Sequence, residues 1–208
     1  MHQNPAFRRA DHLKNLAFAR SRGFAVLTVT GSGFPENPPM VSHVPFVVSE
    51  DGGCADLHLM RSNPIVRALD PVLPARLVVT GPDAYVSPDW YQIPDQVPTW
   101  NYVAVHLSGQ LERRPSGELR ASLDRLSAHF EQELVPKPPW SADKMTADTL
   151  SRMMRMIVPC RLNIQDIDGT WKLNQNKPDE VRLRAADEVA GSAIGSELSV
   201  LARLMRNP

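Results

Sequence analysis

Apolar and polar residues alternate along much of this chain with the period of two expected of half-buried strands. The stretches FAVLTVT (24–30), MVSHVPFVVS (40–49) and CADLHLM (54–60) follow this pattern, and so do ARLVVTG (75–81), DAYVS (83–87) and NYVAVHLSGQLERR (101–114). EDGG at 50–53 reads as a tight turn between two of them. CRLNIQDIDGTWKL (160–173) predicts a further strand pair, turned at Asp168 and Gly169. Helical spacing interrupts the β pattern at a few places. Residues 11–22 have Asp11 at the N-cap position, Leu13, Leu16 and Ala17 on one face, and Gly23 as the stop. Residues 117–134 repeat Leu119, Leu123, Leu126 and Phe130 at helical intervals. Shorter helices are predicted at 62–69 and 146–158, and the alanine-rich tail from Pro178 is helical.

About six strands with attached helices, and no regular strand–helix alternation, exclude a parallel doubly wound sheet. The prediction is a mainly β, α+β fold: a six-stranded antiparallel barrel with flanking helices. Residues 1–178 would form the barrel domain and 179–208 a helical C-terminal extension.

Composition narrows the function classes. The 23 basic and 23 acidic side chains cancel, leaving no net field to draw the chain to nucleic acid or an anionic membrane. No run approaches the ~18 apolar residues of a membrane span, and charges are scattered through the first twenty positions. Cys54 and Cys160 fit neither a disulfide framework nor a zinc spacing, so reduced, packed thiols and a cytoplasmic location are the default expectation. The usual dinucleotide, nucleotide, zinc-protease and serine-hydrolase motifs are absent. His43, His58 and His106 stand at unrelated spacings, so no metal site is expected.

Four stretches could carry chemistry. In HLMRSNP (58–64), Arg61 supplies a forked cation, Ser62 and Asn63 add neutral donors, and a helix start adds backbone N–H groups, which together suit a phosphate. The same residues also read as an N-cap beside a surface arginine. In SHVPF (42–46), alternation puts His43 and Pro45 on one face and Val44 and Phe46 on the other, at an edge or bulge. From DAYVSPDWY into VPTWNY, Tyr85, Trp90, Tyr91, Trp100 and Tyr102 crowd flat surfaces around Ser87, Thr99 and Asn101. That mix serves either a planar heteroaromatic ligand or a packed core corner. In TWKLNQNKP (170–178), Lys172 and Asn174 oppose Trp171 and Leu173, with Gln175 and Asn176 at the strand end.

Taken in order, SHVPF, HLMRSNP, GPDAYVSPDWY, VPTWNYVAVHLSG and WKLNQN resemble the signature blocks of the PaiB-type FMN-binding family, described as negative transcriptional regulators. The resemblance runs from residue 7 to about 178. It implies a split β-barrel of the flavoreductase and pyridoxamine-phosphate-oxidase type and a homodimer with FMN in clefts between subunits. By the same resemblance, Arg61, Ser62 and Asn63 hold the FMN phosphate, and Ser42, His43 and Val44 border the isoalloxazine ring. Ser87, Trp100, Asn101 and Tyr102 would line the ligand side, with Lys172, Gln175 and Asn176 reaching across from the partner. QIPDQ (92–96) is shorter than the family's usual loop, and the tail after Pro178 resembles the family poorly.

A regulatory role needs DNA contact, direct or through a partner, and the balanced charge offers no basic surface for it. Two further readings stay open. One is an FMN-dependent oxidoreductase, since the flavin itself supplies the redox chemistry, although the sequence fixes no catalytic residue. The other is a haem-binding split barrel with His43, His58 or His106 as iron ligand.

Overall fold

The computed structural model describes residues 2–31 and 36–208. Among these described residues, seven strands and six α-helices run in the order α1 (His12–Arg22), β1 (Phe24–Val29), β2 (Met40–Val48), β3 (Cys54–Met60), α2 (Pro64–Ala68), β4 (Val72–Val86), β5 (Thr99–Arg113), α3 (Leu119–Glu131), α4 (Ala147–Met154), β6 (Ile157–Lys172), α5 (Asp179–Gly191), β7 (Gly195–Ser196) and α6 (Leu198–Arg206). The hydrogen-bonded strand order is β1-β2-β3-β6-β5-β4, and β1 also pairs with β4, so six strands close into an antiparallel barrel. The short β7 adds to β4 as a seventh strand. This is the barrel expected from the alternation.

Period-two patterning survives closure. Leu27, Phe46, Leu57, Leu77, Leu107 and Leu162 are all buried, while their strand neighbours lie at or near the surface. Cys160 lies among the buried residues, and desolvation pushes its thiol up to about 12; Cys54 is half-buried, and both thiols are free.

The chain divides into two compact units. One takes Ala19–Val78 and Leu107–Ile167. Within it, α3 lies against the outer side of the sheet, held by Asp56 on β3. The Asp56 carboxylate accepts from Arg161 Nε at 2.7 Å on β6 and from Arg125 Nη2 at 2.7 Å on α3. Burial works against its ionisation, but the two arginines outweigh burial and hold its pKa below the ordinary carboxylate value.

The other unit takes the described residues up to Phe18, Val79–His106 and Asp168–Pro208. Its core joins Ala84, Val86, Val103 and Trp171 from the strands to Val181, Ala185, Val189, Leu201 and Met205 from α5 and α6. The tail expected as a helical extension therefore packs into the same core as the strands before it.

Three local expectations change. ARLVVTG and DAYVS are one continuous strand, β4, instead of two. Asp168 and Gly169 form no turn: both lie inside the sixteen-residue β6. The glycine is there for space, because a Cβ at position 169 would come within 2.0 Å of Asn15 Oδ1. In α1, Asp11 does cap the helix, accepting from Lys14 N at 2.7 Å, but the buried face is Asn15, Leu16 and Ala19, with Leu13 exposed. Asn15 faces inward because its Oδ1 accepts from Trp171 Nε1 at 2.8 Å, and a buried amide with such a partner is tolerated where an unpartnered one is not.

Two stability predictions follow from these contacts. Gly169→Ala should destabilise by about 1–3 kcal/mol and shift the Trp171 emission, because Asn15 must move off the indole; chemical denaturation followed by tryptophan fluorescence measures both. Asp56→Asn should cost about 1–2 kcal/mol at neutral pH, the lower end for charge-assisted bonds partly screened by solvent. Because the folded pKa is depressed, this contribution is present above the unfolded carboxylate value of about 3.9 and is lost as pH falls through the lower folded value. The gap between wild type and variant should therefore close on acidification, as read from urea midpoints at neutral and acid pH.

Candidate functional site

The first unit carries Ser42, His43, Val44, Arg61, Ser62 and Asn63. Asn63 is the N-cap of α2: its Oδ1 accepts from Ile65 N at 2.9 Å, while its Nδ2 donates to Ser42 Oγ at 3.2 Å. Strand β2 is thus tied to the end of β3 through one amide. The helix start offers fewer backbone donors than its sequence promised. Pro64 has no N–H, and the N–H groups of Ile65 and Val66 are taken by the Asn63 side chain and carbonyl. Those of Arg61 and Asn63 are also bonded, to the carbonyls of Met156 and Met60. Any anion here is held mainly by side chains.

Arg61 is exposed, and its Nε donates to the Arg155 carbonyl at 2.8 Å and its Nη2 to that of Ile157 at 3.2 Å. These bonds fix the plane of the guanidinium and leave Nη1 without a protein partner among the described residues. The exposed Ser62 hydroxyl is likewise unbonded among the described residues. A second cation, not singled out from the sequence, stands nearby. Arg67, on α2, lines a cavity of about 420 Å³ with Asn37, Met40 and Pro64, and it makes no ion pair among the described residues. The signal that could have found it is its spacing, one helical turn beyond the capping Asn63 and Pro64.

His43 is exposed on the outer face of β2 and stacks against Phe24 with ring centroids 6.3 Å apart. Val44 points the other way, 2% exposed, so only its backbone can border a ligand.

The second unit divides the aromatic cluster in two. Tyr91 is fully buried, donates to Asn174 Oδ1 at 3.3 Å and lies under the Lys177 ammonium at 4.6 Å; Trp90 packs against the same core. These two form the core corner. Trp100 is 46% exposed and meets Tyr85 edge-on at 6.4 Å, and Tyr102 shares the Trp100 face by alternation. These three are the free flat surfaces. Ser87 caps the short helical turn Pro88–Tyr91 by accepting from Asp89 N at 3.3 Å.

Asn101 lies on the opposite face of β5 from Trp100. It is completely buried, its Nδ2 reaches only the Met205 sulfur at 3.5 Å, and its Oδ1 has no partner among the described residues. It faces the core against α6 and not the surface that Trp100 and Tyr102 share.

The Lys172 ammonium donates to Thr99 Oγ1. Burial, helped by the charge of Lys177, lowers its pKa below the usual lysine value. Gln175 closes the strand end, accepting from Leu173 N at 2.8 Å and donating to the Trp171 carbonyl at 2.5 Å. Asn174 departs from strand geometry with φ of 62° and turns inward to Tyr91. Asn176 is exposed.

With this geometry in view, comparison with known proteins decides the family. The sequence profile described as "Putative FMN-binding domain" matches residues 1–166. The chain belongs to that family. A flavin is accordingly its cofactor, and each unit by itself offers groups of a suitable kind: in the first, Arg67, Ser62 and Arg61 Nη1 are charged and neutral donors of the sort a phosphate takes, and in the second, Trp100 and Tyr102 are flat faces of the sort a ring takes. The chain is 29% identical over 170 residues to the protease synthase and sporulation protein PAI 2 of Bacillus subtilis, covering 81% of this chain and 78% of that one. Among solved structures, the FAD and haem binding protein of Mycobacterium smegmatis superposes with a TM-score of 0.59 at 17% identity, over 91% of this chain and 82% of that one. The flavocytochrome Anf3 of Azotobacter vinelandii gives 0.56 at 14% identity, over 82% and 72%. At such identities these structures speak for the split-barrel fold.

The placement of Asn101 yields a prediction that separates core from ligand roles. Asn101→Leu removes an orphaned buried oxygen, whose desolvation costs about 1–3 kcal/mol, and keeps the branching and heavy-atom count of the side chain. The variant should melt higher than wild type with FMN affinity unchanged; a loss of flavin affinity at equal stability would return Asn101 to the binding surface.

Proposed function

We propose that this chain is an FMN-binding protein of the PaiB type that takes part in negative regulation without reading DNA through a basic surface of its own. The observation that carries the flavin part is the arrangement around α2. The Ser42–Asn63 bond fixes the cap, and Ser62, Arg61 and Arg67 are left with donors that no described residue uses. A phosphate carries two charges near neutral pH and accepts several hydrogen bonds, which is what these side chains supply.

When bound, FMN supplies one- and two-electron redox chemistry at its ring. The protein's part is to hold the phosphate with arginine and serine donors and to offer Trp100 and Tyr102 as stacking faces. His43, exposed on β2, would border the ring in this reading. Lys172, Gln175 and Asn176 are proposed, as in the family pattern, to serve a flavin of the partner subunit.

A homodimer belongs to the same reading. What supports it is the apolar outer face of β1 and β2, where Phe24 and Val41 are each more than half exposed on either side of His43. Such a face is more easily tolerated when a second subunit covers it. The zero net charge argues that a regulatory output passes through a protein partner or the redox state of the flavin, since duplex binding draws on clustered cations.

Paired titrations with FMN and riboflavin, which lacks the phosphate, test the site. Arg61→Ala and Arg67→Ala should each weaken FMN by about tenfold to a hundredfold, the cost of a charge-assisted contact, and leave riboflavin unchanged. Trp100→Ala should weaken both flavins together. Equal loss of both flavins in the arginine variants would place the phosphate elsewhere.

A further inference from the structure

A second cavity lies in the first unit, next to Arg61, whose backbone and guanidinium donate to the Met156 and Ile157 carbonyls of its wall, and the flavin reading plays no part in it. It encloses about 340 Å³ beside the outer face of β3, with α3 and α4 contributing to its walls. Five of the chain's eight methionines, Met60, Met145, Met153, Met154 and Met156, line it, together with Trp140 and Leu123. Methionine side chains are flexible and polarisable and make favourable contacts with aromatic rings, so such a lining adapts to flat guests of differing outline. The volume falls in the range of small-molecule sites, which are mostly apolar with a few placed polar groups.

The polar groups here are few, and their states can be read. Arg120 at the wall is engaged: its Nε donates to Asp124 at 2.8 Å and its Nη2 reaches Asp143 at 3.4 Å. Its charge is compensated on the spot and is not available to an anionic guest. His58, projecting from β3, lines the cavity and makes no hydrogen bond through its ring to any other described residue. Burial lowers its pKa below the usual imidazole value, so it is neutral at neutral pH, with one nitrogen a donor and the other an acceptor. The ring is half-buried and its nitrogens are not sealed off from the cavity, so a guest's polar group can take the place of solvent on them.

We propose that this cavity is a binding site for a neutral aromatic small molecule of one or two fused rings, held among the methionines and Trp140 and hydrogen-bonded through one polar group to His58. Anionic guests are disfavoured because Arg120 is already spent on Asp124 and Asp143, and cationic ones because the lining is mostly apolar and desolvates a charge. The site adjoins Arg61 through Met156 and Ile157, so a bound compound would be felt where the α2 donors begin.

The test uses the full chain and N-phenyl-1-naphthylamine, a neutral amine that joins a two-ring naphthalene to a phenyl group and whose fluorescence rises in apolar surroundings. 1-Benzylnaphthalene, in which a methylene replaces the amine, serves as a competitor. Wild type should show saturable one-site binding. Ser127→Trp, which fills the cavity from its half-buried wall, should abolish it while circular dichroism and the melting temperature confirm the fold. His58→Phe should weaken the amine about tenfold and leave the hydrocarbon unchanged. Absence of saturable binding to folded wild type, as when a second copy of the chain covers the cavity, overturns the proposal. Equal binding by Ser127→Trp overturns it as well. A His58→Phe variant that binds both compounds as wild type does removes the hydrogen-bonded class of ligand. A Soret band with added hemin that depends on His58 would assign the cavity to haem in place of a small aromatic.

Discussion

Closure of the barrel by the β1–β4 pairing is the constraint on which the rest of this structure depends. Once the last strand meets the first, each strand has one face committed to a dry interior and one face turned out. The inward residues have a single task, which Leu27, Phe46, Leu57, Leu77 and Leu162 perform. All chemistry must then come from outward positions, from strand ends, or from the helices laid over them. Asp56, His58 and Met60 alternate outward along β3, and within these seven residues the strand changes role from anchoring a helix to lining a cavity to presenting Arg61.

This division explains which parts of the fold and site could be read from the sequence. Alternation is a local property, so the strands, their inward faces and the outward position of His43 were legible. Capping is local too, and the Asn63 and Asp11 caps follow from residue type and neighbour. What was not legible depends on partners distant in sequence. Nothing near Gly169 distinguishes a turn glycine from one making room for Asn15, 154 positions earlier. Asn101 reads as a polar member of an aromatic cluster until α6 is seen to pack Met205 against it. The backbone donors expected at α2 were removed by the cap and the proline that made the helix recognisable in the first place.

The two candidate sites in the molecule differ in how they treat charge. Around α2, arginine donors are left unspent, and the surroundings are polar and open. In the methionine-lined cavity, the one cation is neutralised by two carboxylates and the one titratable ring is kept uncharged. Low effective dielectric strengthens polar interactions and penalises unpaired groups in the same place, so the proposed anion site and the proposed uncharged site differ through burial and pairing alone.

The Asn15–Gly169–Trp171 contact also has a consequence for how such a chain can change through time. The indole bond needs the asparagine, and the asparagine needs the missing Cβ. A lineage cannot acquire a larger residue at 169 first and adjust afterwards without passing through a destabilised intermediate. A smaller residue at 15 must come earlier, and it forfeits the tryptophan's partner. The three positions therefore form a ratchet: drift at one is admissible only in a particular order with the others, and Gly169 is the last of them free to vary.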